Sequence, residues 1–139
     1  MKRLYPLTIA VSLLLGQGCT GSSEGEEITP TTGVSGYVLY GAGDCMPVID
    51  KTARSYKGYT GELYFIRTVD AEDPANGAFD LLKRMSLHYA VQDGKLRALP
   101  PAGTYVVTPA EYYTNDYTLT ITPGQGVRQD FTFWRCLSY

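Results

Sequence analysis

Beyond about residue 33 the chain is written in short runs of alternating apolar and polar positions, the period of a strand with one face buried. Residues 34–40 put Val34, Val38 and Tyr40 on one face and Tyr37 and Leu39 on the other, with Gly36 as a gap. Residues 41–47, Gly-Ala-Gly-Asp-Cys-Met-Pro, predict a loop by their glycine and proline content. Residues 62–69 are β-rich, with Leu63 and Phe65 opposite Tyr64 and Ile66. Residues 70–78 are polar and predict a loop. Residues 79–85 predict one or two helical turns, with Asp80 at the N-terminal end and Lys83 and Arg84 at the other, as the helix dipole favours. Residues 86–92 and 95–99 flank Asp93-Gly94, a strong turn signal for a hairpin. Residues 104–108, 117–121 and 127–136 predict the remaining strands, the last with Phe131 and Phe133 opposite Thr132 and Trp134. About seven short strands with little helix predict an all-β sandwich, a single domain over residues 34–139.

The first 33 residues follow a different pattern. Lys2 and Arg3 precede an apolar stretch, residues 4–15, broken by Pro6, Thr8 and Ser12. A membrane span needs ~20 apolar residues; this stretch has the length of a secretory signal core, and Gly16, Gln17 and Gly18 supply a small-residue cleavage zone. Residues 1–18 are therefore expected to be a signal peptide. Residues 19–33, with the run Ser22-Ser23-Glu24-Gly25-Glu26-Glu27, are expected to be a flexible acidic tether.

The run Leu15-Gly16-Gln17-Gly18-Cys19 resembles a bacterial lipobox, of the relaxed kind found in Bacteroidota-type lipoproteins, with Gly16 where that family prefers leucine. The resemblance implies that Cys19 becomes residue one and carries lipid, through S-diacylation and N-acylation. Two or three acyl chains hold a protein firmly at a membrane without spanning it. The acidic run resembles the tether of surface-exposed lipoproteins. The expected location is the outer membrane, lipid-anchored, at the cell surface or the periplasmic face. The alternative is an ordinary signal peptide with a cysteine near its end. With Cys19 lipidated, Cys45 and Cys136 remain as an even pair in an oxidising compartment, and a disulfide between them is expected.

Charge narrows the partners. The whole chain carries −2; without residues 1–18 it has 10 basic against 14 acidic residues, a net of −4. Three of those acids sit in the tether, so the domain is near neutral. No basic run is present, which argues against nucleic acid.

Asp93-Gly94-Lys95-Leu96 followed by Leu99-Pro100-Pro101-Ala102-Gly103-Thr104-Tyr105-Val106-Val107 resembles the hairpin and turn of transthyretin-like domains, which include carboxypeptidase regulatory-like modules. Val34-Ser35-Gly36-Tyr37-Val38 is similar to that family's opening strand, and residues 116–133, with Pro123-Gly124, to its close. The resemblance implies an immunoglobulin-like or prealbumin-like sandwich over most of residues 34–139. The superfamily's hydroxyisourate hydrolase relies on several histidines, an arginine and a Tyr-Arg-Gly-Ser-like tail. This chain has one histidine, His88, and ends Cys136-Leu137-Ser138-Tyr139, so that activity is not expected.

Other chemistry is sparse. His88 sits mid-strand without a serine motif and is expected to be a structural or surface histidine. Asp70, Glu72, Asp73, Asn76 and Asp80 could offer oxygens to a hard cation, but a solvated acidic loop is the simpler reading. Cys45, Met46, His88 and Cys136 would make a soft metal site only with reduced thiols. No metal and no cofactor is expected. Twelve tyrosines offer the best binding clue. Tyr56 and Tyr59 lie in a Gly/Lys-containing loop, and Tyr112, Tyr113 and Tyr117 cluster after Pro109. Such rings either give rigid contact area for a protein or glycan or cover sheet faces. The expected function is non-enzymatic: a protein-interaction or accessory module at the membrane. A glycan-binding module is the alternative, and a hydrolase a more distant one.

Overall fold

The computed structural model describes residues 33–45, 51–72 and 78–137. The expected signal peptide and most of the tether, with Cys19, lie outside the described residues, as do Met46, Asp73 and Asn76.

The fold is all-β, built from two sheets, with nine strands among the described residues. The long first strand β1 (Gly33–Gly43) is the spine of the five-stranded sheet. On one side it pairs antiparallel with β5 (Lys95–Ala98) and then β2 (Lys57–Gly58). On the other it pairs parallel with β8 (Gly126–Arg128) and then β9 (Phe131–Cys136). The four-stranded sheet runs β4 (Leu87–Val91), β3 (Gly61–Arg67), β6 (Gly103–Pro109), β7 (Thr118–Ile121), all antiparallel. The alternating positions of the sequence face each other across the core. Val34, Val38, Leu96, Ala98, Phe131 and Phe133 from one sheet meet Leu63, Phe65, Val91, Tyr105, Val107, Leu119 and Ile121 from the other. The helical turn α1 (Thr68–Ala71) and helix α2 (Phe79–Met85) pack on the outer side of the four-stranded sheet. There Ile66, Val106 and Leu82 are buried apart from the main core.

Three local expectations change in the tertiary structure. Gly41, Ala42 and Gly43 continue β1, because Trp134, Arg135 and Cys136 of β9 supply them with a ladder. Thr68 and Val69 leave the strand for α1. The closing strand is two strands, broken at Gln129 and Asp130, and β2 is an addition that composition does not announce.

Asp93-Gly94 forms the expected tight turn, with φ of 49° and 79°, both central residues being left-handed as a type I′ turn requires. The strands it joins separate after one bridge, Gln92 to Lys95: β4 enters one sheet and β5 the other. The turn is thus a corner of the sandwich. Two backbone hydrogen bonds tie it down, Val38 N to Gly94 O on β1 (2.7 Å) and Gly94 N to Tyr59 O on the β2–β3 connection (2.8 Å), and Tyr59 N to Val38 O (2.9 Å) joins those two anchors to each other. Tyr105, the third residue of β6, is fully buried and donates its hydroxyl to Pro101 O at 2.7 Å.

Cys45 and Cys136 form a disulfide, with Cα atoms 5.4 Å apart and 91 residues between them in sequence. It closes the end of the parallel β1–β9 pair, where Gly43 lies opposite Cys136. No helix among the described residues is long and apolar enough to cross a membrane.

Candidate functional site

The disulfide end of the sandwich gathers most of the tyrosines that the sequence singles out. Its floor is Trp134, which projects outward from β9 over Gly41 and Gly43. A Cβ at either glycine would come within 2.7 Å of the indole, so only glycine leaves room for the ring. The Arg54 guanidinium lies 4.8 Å from the indole centroid and Tyr56 meets it edge-on at 5.5 Å, contacts that each contribute of order 1 kcal/mol.

Tyr59 is 3% exposed. It lies 5.5 Å from Tyr40, which in turn lies 6.5 Å from Tyr112. The Tyr59 hydroxyl sits within reach of Glu62 O (3.0 Å) and Glu111 Oε2 (2.9 Å), and accepts from Ala110 N at 3.4 Å. Burial, then the hydrogen bond to Glu111, raises its pKa far above that of a free phenol. Burial likewise pushes Tyr112 up to about 12. Tyr112 donates to Trp134 O at 3.1 Å. Tyr117 lies edge-on to Phe131 and Phe133, and its hydroxyl accepts from Thr132 N at 2.9 Å.

The five candidate tyrosines therefore divide. Tyr59, Tyr112 and Tyr117 spend their faces on the core and their hydroxyls on backbone groups or Glu111. Tyr56 is half-buried against Trp134. Tyr113 alone among the five stands out, 39% exposed, with one edge on Phe79 at 5.9 Å. The loop that carries it is pinned at its base. The buried Thr108 hydroxyl donates to Tyr112 O at 2.9 Å and accepts from Thr114 N at 3.0 Å. Ala110 N donates to Glu62 O at 3.1 Å, and Val107 N to Tyr117 O at 3.0 Å. Two shallow grooves meet beside this loop at Tyr40 and Lys57, one reaching Thr60 and Glu111, the other Ser55 and Tyr56.

Raised tyrosine pKa values carry a sign. The native state holds protons that the unfolded chain releases near pH 10, so the unfolded state binds fewer protons there and stability falls as pH rises. The urea midpoint is expected to be level up to about pH 9 and to drop from about pH 10 toward 12. Tyrosinate absorbance should lag the unfolded curve, and Tyr112→Phe should make the drop shallower. A midpoint unchanged between pH 10 and 12 would contradict this packing.

A second cluster was not legible in the sequence. His88 on β4 places Nδ1 3.0 Å from Glu62 Oε2 on β3, and its ring lies 5.5 Å from Tyr64. Register brings them together: His88 pairs with Tyr64 and Ala90 with Glu62, so the two side chains are diagonal neighbours on one face. The open basin beside them is lined by Asp80, Lys83, Arg84 and Ser86. A carboxylate-held imidazole is one part of a general base. No side-chain nucleophile is hydrogen-bonded to it among the described residues.

No three His, Cys, Asp or Glu side chains among the described residues converge to hold an ion. Cys45 and Cys136 are bonded to each other and offer no thiolate, and His88 belongs to the opposite sheet. No protein-family model, no curated protein and no solved structure matches the chain.

Proposed function

We propose that the chain is a non-enzymatic lipoprotein, held at the outer membrane through acylated Cys19, whose single sandwich serves as a protein-interaction or accessory module. The observation that carries this reading is the pinned 110–117 loop. Its backbone is fastened at both ends and in the middle, while Tyr113, Glu111, Asn115 and Asp116 face solvent. A loop already held in one conformation loses little entropy when a partner seats on it. Tyr113 adds a rigid amphipathic ring. The transthyretin-like likeness is supported by the two-sheet architecture and by the buried Tyr105 that follows the 99–104 turn. The glycan-binding alternative is favoured by the two Tyr40 grooves. A hydrolase has only the Glu62-held His88 in its support.

The test is photo-crosslinking in native membranes, with a photoreactive phenylalanine at position 113 of the full chain. The chain is expected in the membrane fraction, and Cys19→Ser is expected to release it. Position 113 should give one discrete adduct that a probe at exposed position 118, on β7, does not give. Membrane retention without any adduct at 113 would overturn the interaction reading and leave the anchor standing.

A further inference from the structure

The outer face of the five-stranded sheet, on the side away from the core, carries an arrangement that neither the loop nor the grooves use. Ladder pairing places Arg97, Ser35 and Arg128 side by side across β5, β1 and β8, and Lys95 beside Tyr37 in the next outward row. Adjacent strands are ~4.8 Å apart and successive outward rows ~6.8 Å, so three cations surround Tyr37 within about 10 Å. Lys95, Arg97 and Arg128 are exposed. Lys95 and Arg97 have no ion-pair partner among the described residues. The Arg128 guanidinium lies 5.5 Å from the Tyr37 centroid. One described acid opposes them: Asp130, whose Oδ1 lies 3.8 Å from Arg128 and accepts from Tyr37 N at 2.8 Å. Glu62, Asp70, Glu72 and Asp80 belong to the opposite sheet and its helices, Glu111 and Asp116 to the 110–117 loop, Asp93 to the turn before Lys95, and Asp44 to the segment after β1. The opposite sheet and its helices mix Arg67, Lys83 and Arg84 with their acids, whereas this face sets three cations against one contacting carboxylate.

Exposed apolar groups stand among these cations: Tyr37 (48%), Leu39 (40%) and, just past the end of β5, Leu99 (62%). Cations interleaved with exposed apolar side chains on one sheet face suit the headgroup zone of an anionic bilayer, where the cations meet phosphate and the apolar groups enter the acyl boundary. A polysaccharide chain would be better served by a groove, and the Tyr40 grooves are lined by other residues. Position adds a second argument. The cations flank the start of β1, and Gly33 lies 14 positions after Cys19. Fourteen positions reach no further than ~50 Å even at full extension, so an acyl anchor at Cys19 would hold this face within reach of the bilayer.

We propose that this face, centred on Tyr37 and framed by Lys95, Arg97 and Arg128, docks on an anionic membrane surface and orients the domain with the 110–117 loop outward. The probe is mature chain 19–139 made with Cys19→Ser, so that no acyl group contributes. Its fold is checked by an intact disulfide mass and a cooperative melt. It is sedimented with vesicles of phosphatidylcholine alone and of phosphatidylcholine mixed with phosphatidylglycerol. Binding is expected only to the anionic vesicles. It should vanish at about 0.5 M salt, where charges are screened within about 4 Å. Lys95→Glu/Arg97→Glu on the solvent side of an edge strand should weaken it about 30-fold or more while leaving the melt unchanged. Leu39→Ser should weaken it less. Equal binding of wild type and the charge-reversed variant would overturn the proposal. So would indifference to anionic vesicles combined with charge-dependent retention on an acidic polysaccharide, which would make the partner a glycan. Vesicle binding that appears only after Glu24, Glu26 and Glu27 are neutralised would show that the chain's own tether occupies the face, and would overturn it as well.

Discussion

Gly36→Ala is expected to cost about 3 kcal/mol or more, as overpacking of a closed site does. A Cβ at position 36 would lie 1.9 Å from Gln129 O and 3.0 Å from Asp130 Oδ1. The first of these is backbone and cannot rotate aside. Gln129 and Asp130 are where the chain crosses from β8 to β9 on the flank of β1. They are held there by Gln129 N to Ser35 O at 2.9 Å and by Asp130 Oδ1 on Tyr37 N. The methyl group must therefore push the crossing off β1, loosening both parallel pairings at once. Gly124→Ala is the control: its added Cβ meets nothing within 4 Å, and only its φ of +71° opposes alanine, a strain of about 1 kcal/mol. Urea unfolding of the two variants should separate them by about 2 kcal/mol. Equal losses would mean that the 129–130 crossing is soft.

Removal of the disulfide is the second large effect. Without Cys45–Cys136 the unfolded chain regains the freedom of a 91-residue loop, which the loop-entropy model sets at about 4–5 kcal/mol. For a domain of this size, that corresponds to a fall in Tm of about 20 °C. The double variant Cys45→Ser/Cys136→Ser is the cleaner test, because it leaves no unpaired thiol at this end. The native state also loses a fastening beside Trp134 and Leu137, whose N donates to Gly43 O at 2.9 Å. Indole fluorescence should therefore report a looser environment below the main transition. A Tm shift of only a few degrees would mean that residual structure already restrains the unfolded chain without the bridge.

Much of the fold was legible because its signals are local. Residues 79–85 become α2 with the dipole-matched charges in place. Asp93-Gly94 turns as its chemistry requires. Phe131 and Phe133 face inward opposite Thr132 and Trp134. The misreadings fall where a distant partner decides. Gly41-Ala42-Gly43 reads as loop until β9 arrives to pair with it and Trp134 needs the room. Asp93-Gly94 reads as a hairpin within one sheet until β5 finds β1 instead of continuing along β4. The split of the last strand depends on the gap at Gly36, more than 90 positions away.

The candidate sites divide in the same way. Tyrosine content and the cysteine count could be read directly. The burial of Tyr59 and exposure of Tyr113 depend on what packs against each ring. His88 with Glu62, and Arg97 with Arg128, are neighbours only through strand register. The amino-acid sequence by itself determined the all-β class, the main turns and most of the core-facing positions, because period and turn chemistry act over a few residues. Tertiary structure alone decided which strands share a sheet, which tyrosines meet solvent and where the cations gather. Those outcomes rest on contacts between residues far apart in the chain, and a one-residue change of register would turn each of those side chains to the other face.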